Sequence, residues 1–289
     1  MTAVILALIA ALGYGVSDFV GGVASRRVAA LRVVIVSYPV SIVVVAAAMP
    51  FVGGTASVSS VVWGAVSGLA GGFAVWWFYL ALAGGPMAVV SPITAVLVAG
   101  VPVGVGLALG ERPSTLAYVG IVLALFAVVL VSRESPDETA GEVAGGLSLR
   151  FTPRIAWLTV GSGLTFALAF IALDAAGGDD AGLWPLLASR VAATALVWVV
   201  AVGTRSFSIP RGGVLRLACW IAVLDVIANG ALLFAFQEGL LSLVSVIAAL
   251  YPAATVLLAM VMLGERVGKM QVVGMVVALG AVVLITGSG

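Results

Sequence analysis

Only 9% of the residues in this chain are charged, and a few of those charges fall inside long apolar runs, where they are expensive. Asp225 is the sharpest case, standing at the middle of the run from 214 to 236. An acid at a bilayer centre costs about 2.5–3.5 kcal/mol on insertion scales, so such a residue is kept where it is used or bonded. Asn229 follows four residues later on the same helical face. The two side chains line a polar patch or hydrogen-bond a neighbouring helix. Arg190 lies about eight residues into another run; a guanidinium there neutralises a buried Asp, holds a carboxylate bidentately, or snorkels to the interface. Asp18 lies roughly 9 Å from the centre of the first run at the helical rise. It adjoins Ser17 and sits one turn from Tyr14, a set suited to a cationic group or to proton exchange; the alternative is an interfacial acid paired with Arg26 or Arg32. Trp76 and Tyr79 are three apart and share a face, which makes a stacking wall, or with Trp77 an aromatic belt at headgroup level.

The elements that position these residues follow from composition. Hydrophobic residues make up 63% of the chain, against roughly 45–50% in an ordinary soluble domain. Most of the chain therefore faces lipid or protein rather than water. Lipid offers no partner to backbone N–H and C=O groups, and the runs show no period-2 alternation, so the spans are helices. With about 20 apolar residues needed per span, ten segments emerge, approximately 2–22, 31–50, 60–82, 86–109, 115–132, 154–174, 182–203, 214–236, 240–263 and 269–287. The first lacks the positive n-region of a signal peptide and reads as a spanning helix. The stretch 133–153 gathers charges and small polar residues and reads as a solvated linker. It separates 1–132 from 154–289.

The tetrapeptide Leu-Gly-Glu-Arg occurs twice, at 109–112 and 263–266. A shift of 154 superposes the two copies, and over 81–130 against 235–284 it gives 20 identical pairs in 50. The chain is a duplicated five-helix unit. Five is odd, so the second unit enters the membrane from the opposite side, and inverted repeats are a device of secondary transporters. The Gly-Tyr-Gly-Val-Ser-Asp-Phe stretch at 13–19, Arg32 with Arg190 as its counterpart, and the paired Leu-Gly-Glu-Arg motifs resemble the EamA branch of the drug/metabolite transporter superfamily. The resemblance implies an all-α integral membrane protein of ten transmembrane helices, built as an inverted repeat of two five-helix units. It also implies a secondary transporter of a small metabolite, an amino acid, drug or similar, working by alternating access as an exporter, with proton coupling left open. A channel or structural membrane subunit is the alternative.

Other classes are poorly supplied. No Walker A loop or nucleophile–base constellation is present, so no enzyme is expected. There is no His and one Cys, Cys219, so no metal and no cofactor is implied. A net charge of +1 without a basic block argues against nucleic acid. The expected partners are a small-molecule substrate, the bilayer and protons, with the oligomeric state open. Twelve Arg against one Lys points to a bacterial source, hence to a multi-pass protein of the plasma membrane. Of the 13 basic residues, all but Arg112 and the intramembrane Arg190 fall in connections on one side. The positive-inside rule makes that side cytoplasmic and both termini external, whereas the resemblance implies termini inside. Gly64, Gly68 and Gly72 form a close-packing stripe. Pro92, Pro102 and Pro252 are expected to kink their helices. The two Leu-Gly-Glu-Arg copies read as hairpin corners at the membrane boundary, the Glu and Arg capping or bridging the next helix.

Overall fold

A computed structural model describes residues 1–25, 30–84, 87–132, 152–178, 180–263 and 268–287. All regular structure among them is helical: α1 (Thr2–Ser25), α2 (Ala30–Val52), α3 (Val58–Gly84), α4 (Met87–Ala108), α5 (Thr115–Val131), α6 (Pro153–Ala176), α7 (Trp184–Gly203), α8 (Gly213–Glu238), α9 (Leu241–Ala248), α10 (Tyr251–Leu258) and α11 (Lys269–Thr286). Nine segments among the described residues are long and apolar enough to cross a membrane, and the 17-residue α5 is a shorter tenth. Large apolar side chains point outward along them, among them Trp157, Val199 and Leu279 at 70% exposure each. That surface suits acyl chains rather than water. The helix starts are bonded locally. Ser57 and Ser60 exchange side-chain hydrogen bonds with each other's N–H at 3.0 Å ahead of α3, and Ser114 accepts from Ala117 N–H at 3.2 Å to begin α5.

Compactness divides the chain differently from the sequence repeat, because each compact unit draws on both halves. One unit holds Phe73–Ala167 and Leu240–Gly289, and the other Thr2–Gly72 and Leu168–Gly239. In the first, α5 packs along α11. A Cβ on Gly120 would lie 2.6 Å from Ile285 Cγ1, and one on Gly274 would lie 2.8 Å from Val131 Cγ2. The 154-residue shift exchanges Gly120 with Gly274 and Val131 with Ile285, so one contact is made twice, as a two-fold axis requires. Gly120 opens α5 while Ile285 closes α11, so these equivalent helices run antiparallel. This is the inversion that an odd number of helices per repeat demands.

The same unit shows what the first Leu-Gly-Glu-Arg corner does. Gly110 takes φ 101°, a left-handed conformation that glycine adopts freely. Its N–H donates to Leu107 C=O at 3.2 Å and the Glu111 N–H to Gly106 C=O at 3.0 Å, the paired bonds of a Schellman ending. Arg112 Nη1 donates to Glu111 C=O at 2.8 Å. The Glu111 carboxylate does not cap the next helix, α5; it accepts from the N–H groups of Leu241 and Ser242 at 2.6 and 3.1 Å, at the start of α9. Gly106 makes room for it, since a Cβ there would collide with the carboxylate. In the second copy, Gly264, Glu265 and Arg266 lie outside the described residues.

The Glu111→Gln protein keeps an acceptor but loses the charge that favours a helix N-terminus, and charged hydrogen bonds contribute about 1.5–3 kcal/mol. A stability loss of about 1–2 kcal/mol is expected in thermal unfolding of the detergent-solubilised protein. Unfolding at the wild-type temperature would show that the charge does not hold α9.

Of the prolines expected to kink helices, Pro92 and Pro102 sit within a continuous α4. At Pro252 the ninth run is instead interrupted: α9 ends at Ala248, Leu250 donates to Ile247 C=O at 3.1 Å, and Ala253 donates to Leu250 C=O at 2.9 Å. Proline brings no N–H to the carbonyl four residues back, so the α-helical ladder lapses. The run then closes on a π-helical turn over Ala259–Leu263.

The second unit holds α1, α2, α7 and α8 with the adjoining parts of α3 and α6. Gly64 and Gly68 of α3 lie on the backbone of α7, where an added Cβ would run into the carbonyls of Pro185 and Ser189, and Gly72 faces Leu196. The glycine stripe is thus a backbone-to-backbone seam. Ser67, beside it, donates to Ala169 C=O at 2.8 Å. Gly13 lets α1 press on α8, where its Cβ would stand 2.9 Å from that of Ala228.

Candidate functional site

The candidate site lies in this second unit. The close fit of α1 on α8 at Gly13 and Ala228 brings the polar stretch of α1 beside Asp225. Across the bundle, α7 runs along α2, with Ile35, Val197 and Ala201 in one buried cluster and Trp198 Nε1 donating to Ile35 C=O at 3.3 Å. That packing aims Arg190 inward.

Asp225 is the hub. Asn229 Nδ2 donates to the Asp225 carbonyl at 2.8 Å and to its Oδ1 at 3.0 Å, the one-turn relation that their spacing of four predicts. Arg190 Nη1 stands 2.6 Å from Asp225 Oδ2, with the two side chains 8% and 21% exposed. A guanidinium this deep is held by its counter-ion rather than snorkelling. Its Cζ also lies 5.8 Å from the centre of the Tyr38 ring, within cation–π range. The guanidinium is not fully used: Arg190 Nε is buried and has no hydrogen-bond partner among the described residues.

Asp18 completes the charge pattern. It stands close enough to Asp225 for the two carboxylates to repel each other, yet its side chain is on an exposed part of α1. The formal sum of Asp18, Asp225 and Arg190 is one negative charge. Ser17 is buried beside Asp18. Tyr14, one turn earlier, is half-buried and engaged in interactions of its own.

The structure thus brings together Asp225, Asn229 and Arg190 by direct contact, with Asp18 in electrostatic reach. Trp76 belongs to the other unit, 37% exposed, its ring 6.2 Å from that of Phe73, and Trp77 covers Gly161. The Tyr79 side chain lies outside the described residues. Tyr38 was not singled out from the sequence; the available signal was an aromatic with a polar tip inside an apolar run, the kind of side chain that finds a partner when buried.

No curated protein matches the chain. A solved crystal structure of a protein is similar to it over 98% of this chain and 96% of its own, with a TM-score of 0.78 and 18% identity, a likeness of fold alone. The EamA-like transporter family matches residues 1–133 and again 153–287, so this multi-pass membrane protein, with its doubled helical unit, belongs to the EamA-like transporter family.

Proposed function

We propose that the protein exports a small zwitterionic metabolite of amino-acid type across a bacterial plasma membrane, by alternating access between its two inverted repeats, 1–132 and 154–289. The observation that carries this reading is a charge cluster left incomplete inside the span region. Arg190 keeps a buried Nε that no described residue bonds while already paired to Asp225, so it has donors to spare for a carboxylate. Asp18 supplies the surplus negative charge, which an ammonium group or a proton balances. A zwitterion answers both ends at once. A proton taken by Asp18 in exchange would couple transport to the proton gradient. Asn229 holds the Asp225 carboxylate in its orientation, and Tyr14 and Ser17 extend the polar face of α1 beside Asp18.

Extracellular metabolites of cells making the wild type and Asp225→Asn, at matched membrane levels, test the proposal. A compound that accumulates outside at least ~10-fold more with the wild type is the expected result, a factor equivalent to about 1.4 kcal/mol. Equal export by both proteins would reduce Asp225 to helix-to-helix bonding. No change in the medium with either protein would remove the export reading itself.

A further inference from the structure

Helix α7 ends on an arginine where glycine is the ordinary choice. Arg205, with φ 52°, is the one non-glycine residue of positive φ among the described residues. Its N–H donates to Val202 C=O at 3.0 Å and that of Ser206 to Ala201 C=O at 2.8 Å. This is the Schellman pair that Gly110 and Glu111 make at the end of α4. In the left-handed conformation the Cβ of an L residue crowds the carbonyl that follows, so arginine costs stability that glycine does not. The helix dipole favours a cation there, yet any site in the last turn meets that need without the strain. A residue held in such a conformation points to a use for its side chain. The Arg205 side chain is exposed, and no carboxylate among the described residues pairs with it.

The fold brings three more arginines to the same end of the second unit. Helices α2 and α7 run antiparallel, since Tyr38 meets Arg190 while the Ile35 carbonyl accepts from Trp198. Arg32, one turn before Ile35, is thereby level with the end of α7. Phe207 packs edge-on against Trp198 with ring centres 6.1 Å apart, which folds the chain beyond Arg205 back onto that tryptophan. On the other flank of α2, Val33 shares a buried cluster with Val214 and Ala218 of α8. Those two residues bracket Arg216, and Arg211 lies three residues before Val214. Arg32, Arg211 and Arg216 are exposed and are likewise without a carboxylate partner among the described residues. Neither 19–72 nor 181–224 contains an acidic residue. The outward surface below is apolar: Val199 and Val202 of α7 are exposed, and so is Trp220, one turn beyond Arg216 on the same face.

We propose that Arg32, Arg205, Arg211 and Arg216 form a binding surface for the phosphate headgroup of an anionic phospholipid, its acyl chains lying against the apolar surface below. Guanidinium groups match phosphate oxygens two at a time, and exposed tryptophan belongs at headgroup level. A free anion makes no use of the adjoining apolar side chains. The surface is separate from the cluster of Asp18, Arg190 and Asp225, and it does not depend on what that cluster carries.

Native mass spectrometry of the detergent-purified protein, titrated with dioleoylphosphatidylglycerol or with dioleoylphosphatidylcholine, tests the surface, alongside thermal unfolding. Arg205→Gly is the informative variant, because it removes a charge while relieving the strained cap. It is expected to weaken phosphatidylglycerol binding about fivefold, the worth of one arginine near a membrane surface, and to keep or raise the unfolding temperature. Arg32→Gln/Arg205→Gly/Arg216→Gln is expected to weaken it about a hundredfold on the same scale. Arg154→Gln/Lys269→Gln, which removes two exposed charges from the first unit, is expected to stay within twofold of the wild type. Phosphatidylcholine bound as tightly as phosphatidylglycerol, or an equal loss in the Arg154/Lys269 variant, overturns the surface by showing that lipid adheres without it. Unchanged binding by Arg205→Gly, or a lowered unfolding temperature, returns Arg205 to a structural role and overturns it too. Displacement of the lipid by excess inorganic phosphate would mark a site for free anions instead.

Discussion

Arg190→Met is expected to destabilise the protein by about 3–5 kcal/mol, the usual cost of removing one partner of a buried ion pair. The guanidinium is 2.6 Å from Asp225 Oδ2; without it that oxygen has no counter-charge among the described residues, Asn229 being bonded to Oδ1. The loss is an uncompensated carboxylate rather than a missing contact. Arg190→Met/Asp225→Leu should therefore return to within about 1 kcal/mol of the wild type, because apolar side chains of similar volume replace such pairs at little cost. The double substitution is nevertheless expected to abolish transport, since both charges have gone. Thermal unfolding of the three detergent-solubilised proteins checks the first claim and metabolite export the second. A double variant as unstable as Arg190→Met would show that packing around Arg190, such as its contact with the Tyr38 ring, matters more than charge.

Gly68→Leu should be the most damaging substitution in the glycine seam. An added Cβ would run into the Ser189 carbonyl, and the obstacle is backbone, which cannot rotate aside. Overpacking that side chains absorb costs about 1–3 kcal/mol; forcing α3 off α7 exceeds that and also strains the Ser67 bond to Ala169. Little monodisperse protein is expected on size-exclusion chromatography after solubilisation. Gly104→Ala is the matched control, since no described residue lies within 4 Å of a Cβ there; it is expected to express as the wild type does, or slightly better from the gain in helix propensity. Normal behaviour of Gly68→Leu would mean that α3 and α7 can separate without cost.

How much of this was legible in the sequence depends on the range of the interaction. Spans were readable because lipid imposes helix on any long apolar stretch. The Asp225–Asn229 bond was readable because four residues make one turn. Pairing of Arg190 with a buried Asp was one of the options its depth left open, and the structure selects it. Glu111 was read as a boundary residue, but its partners at Leu241 and Ser242 are about 130 residues away, and no local pattern identifies which helix start a carboxylate reaches. Pro252 announced a weak point and not an interruption, because whether a helix bends or breaks is decided by what surrounds the freed carbonyl; Pro92 and Pro102 stay within one helix.

The doubled glycine contact between α5 and α11 has a thermodynamic corollary. A seam that is its own image under the two-fold has no front or back. Sliding α5 along α11 displaces both glycine contacts alike, because the two-fold carries one onto the other. Such a joint favours neither face of the membrane. Any preference for one face must then come from residues at which the two repeats differ, and Asp225, whose 154-shift partner is Gly71, is one of them.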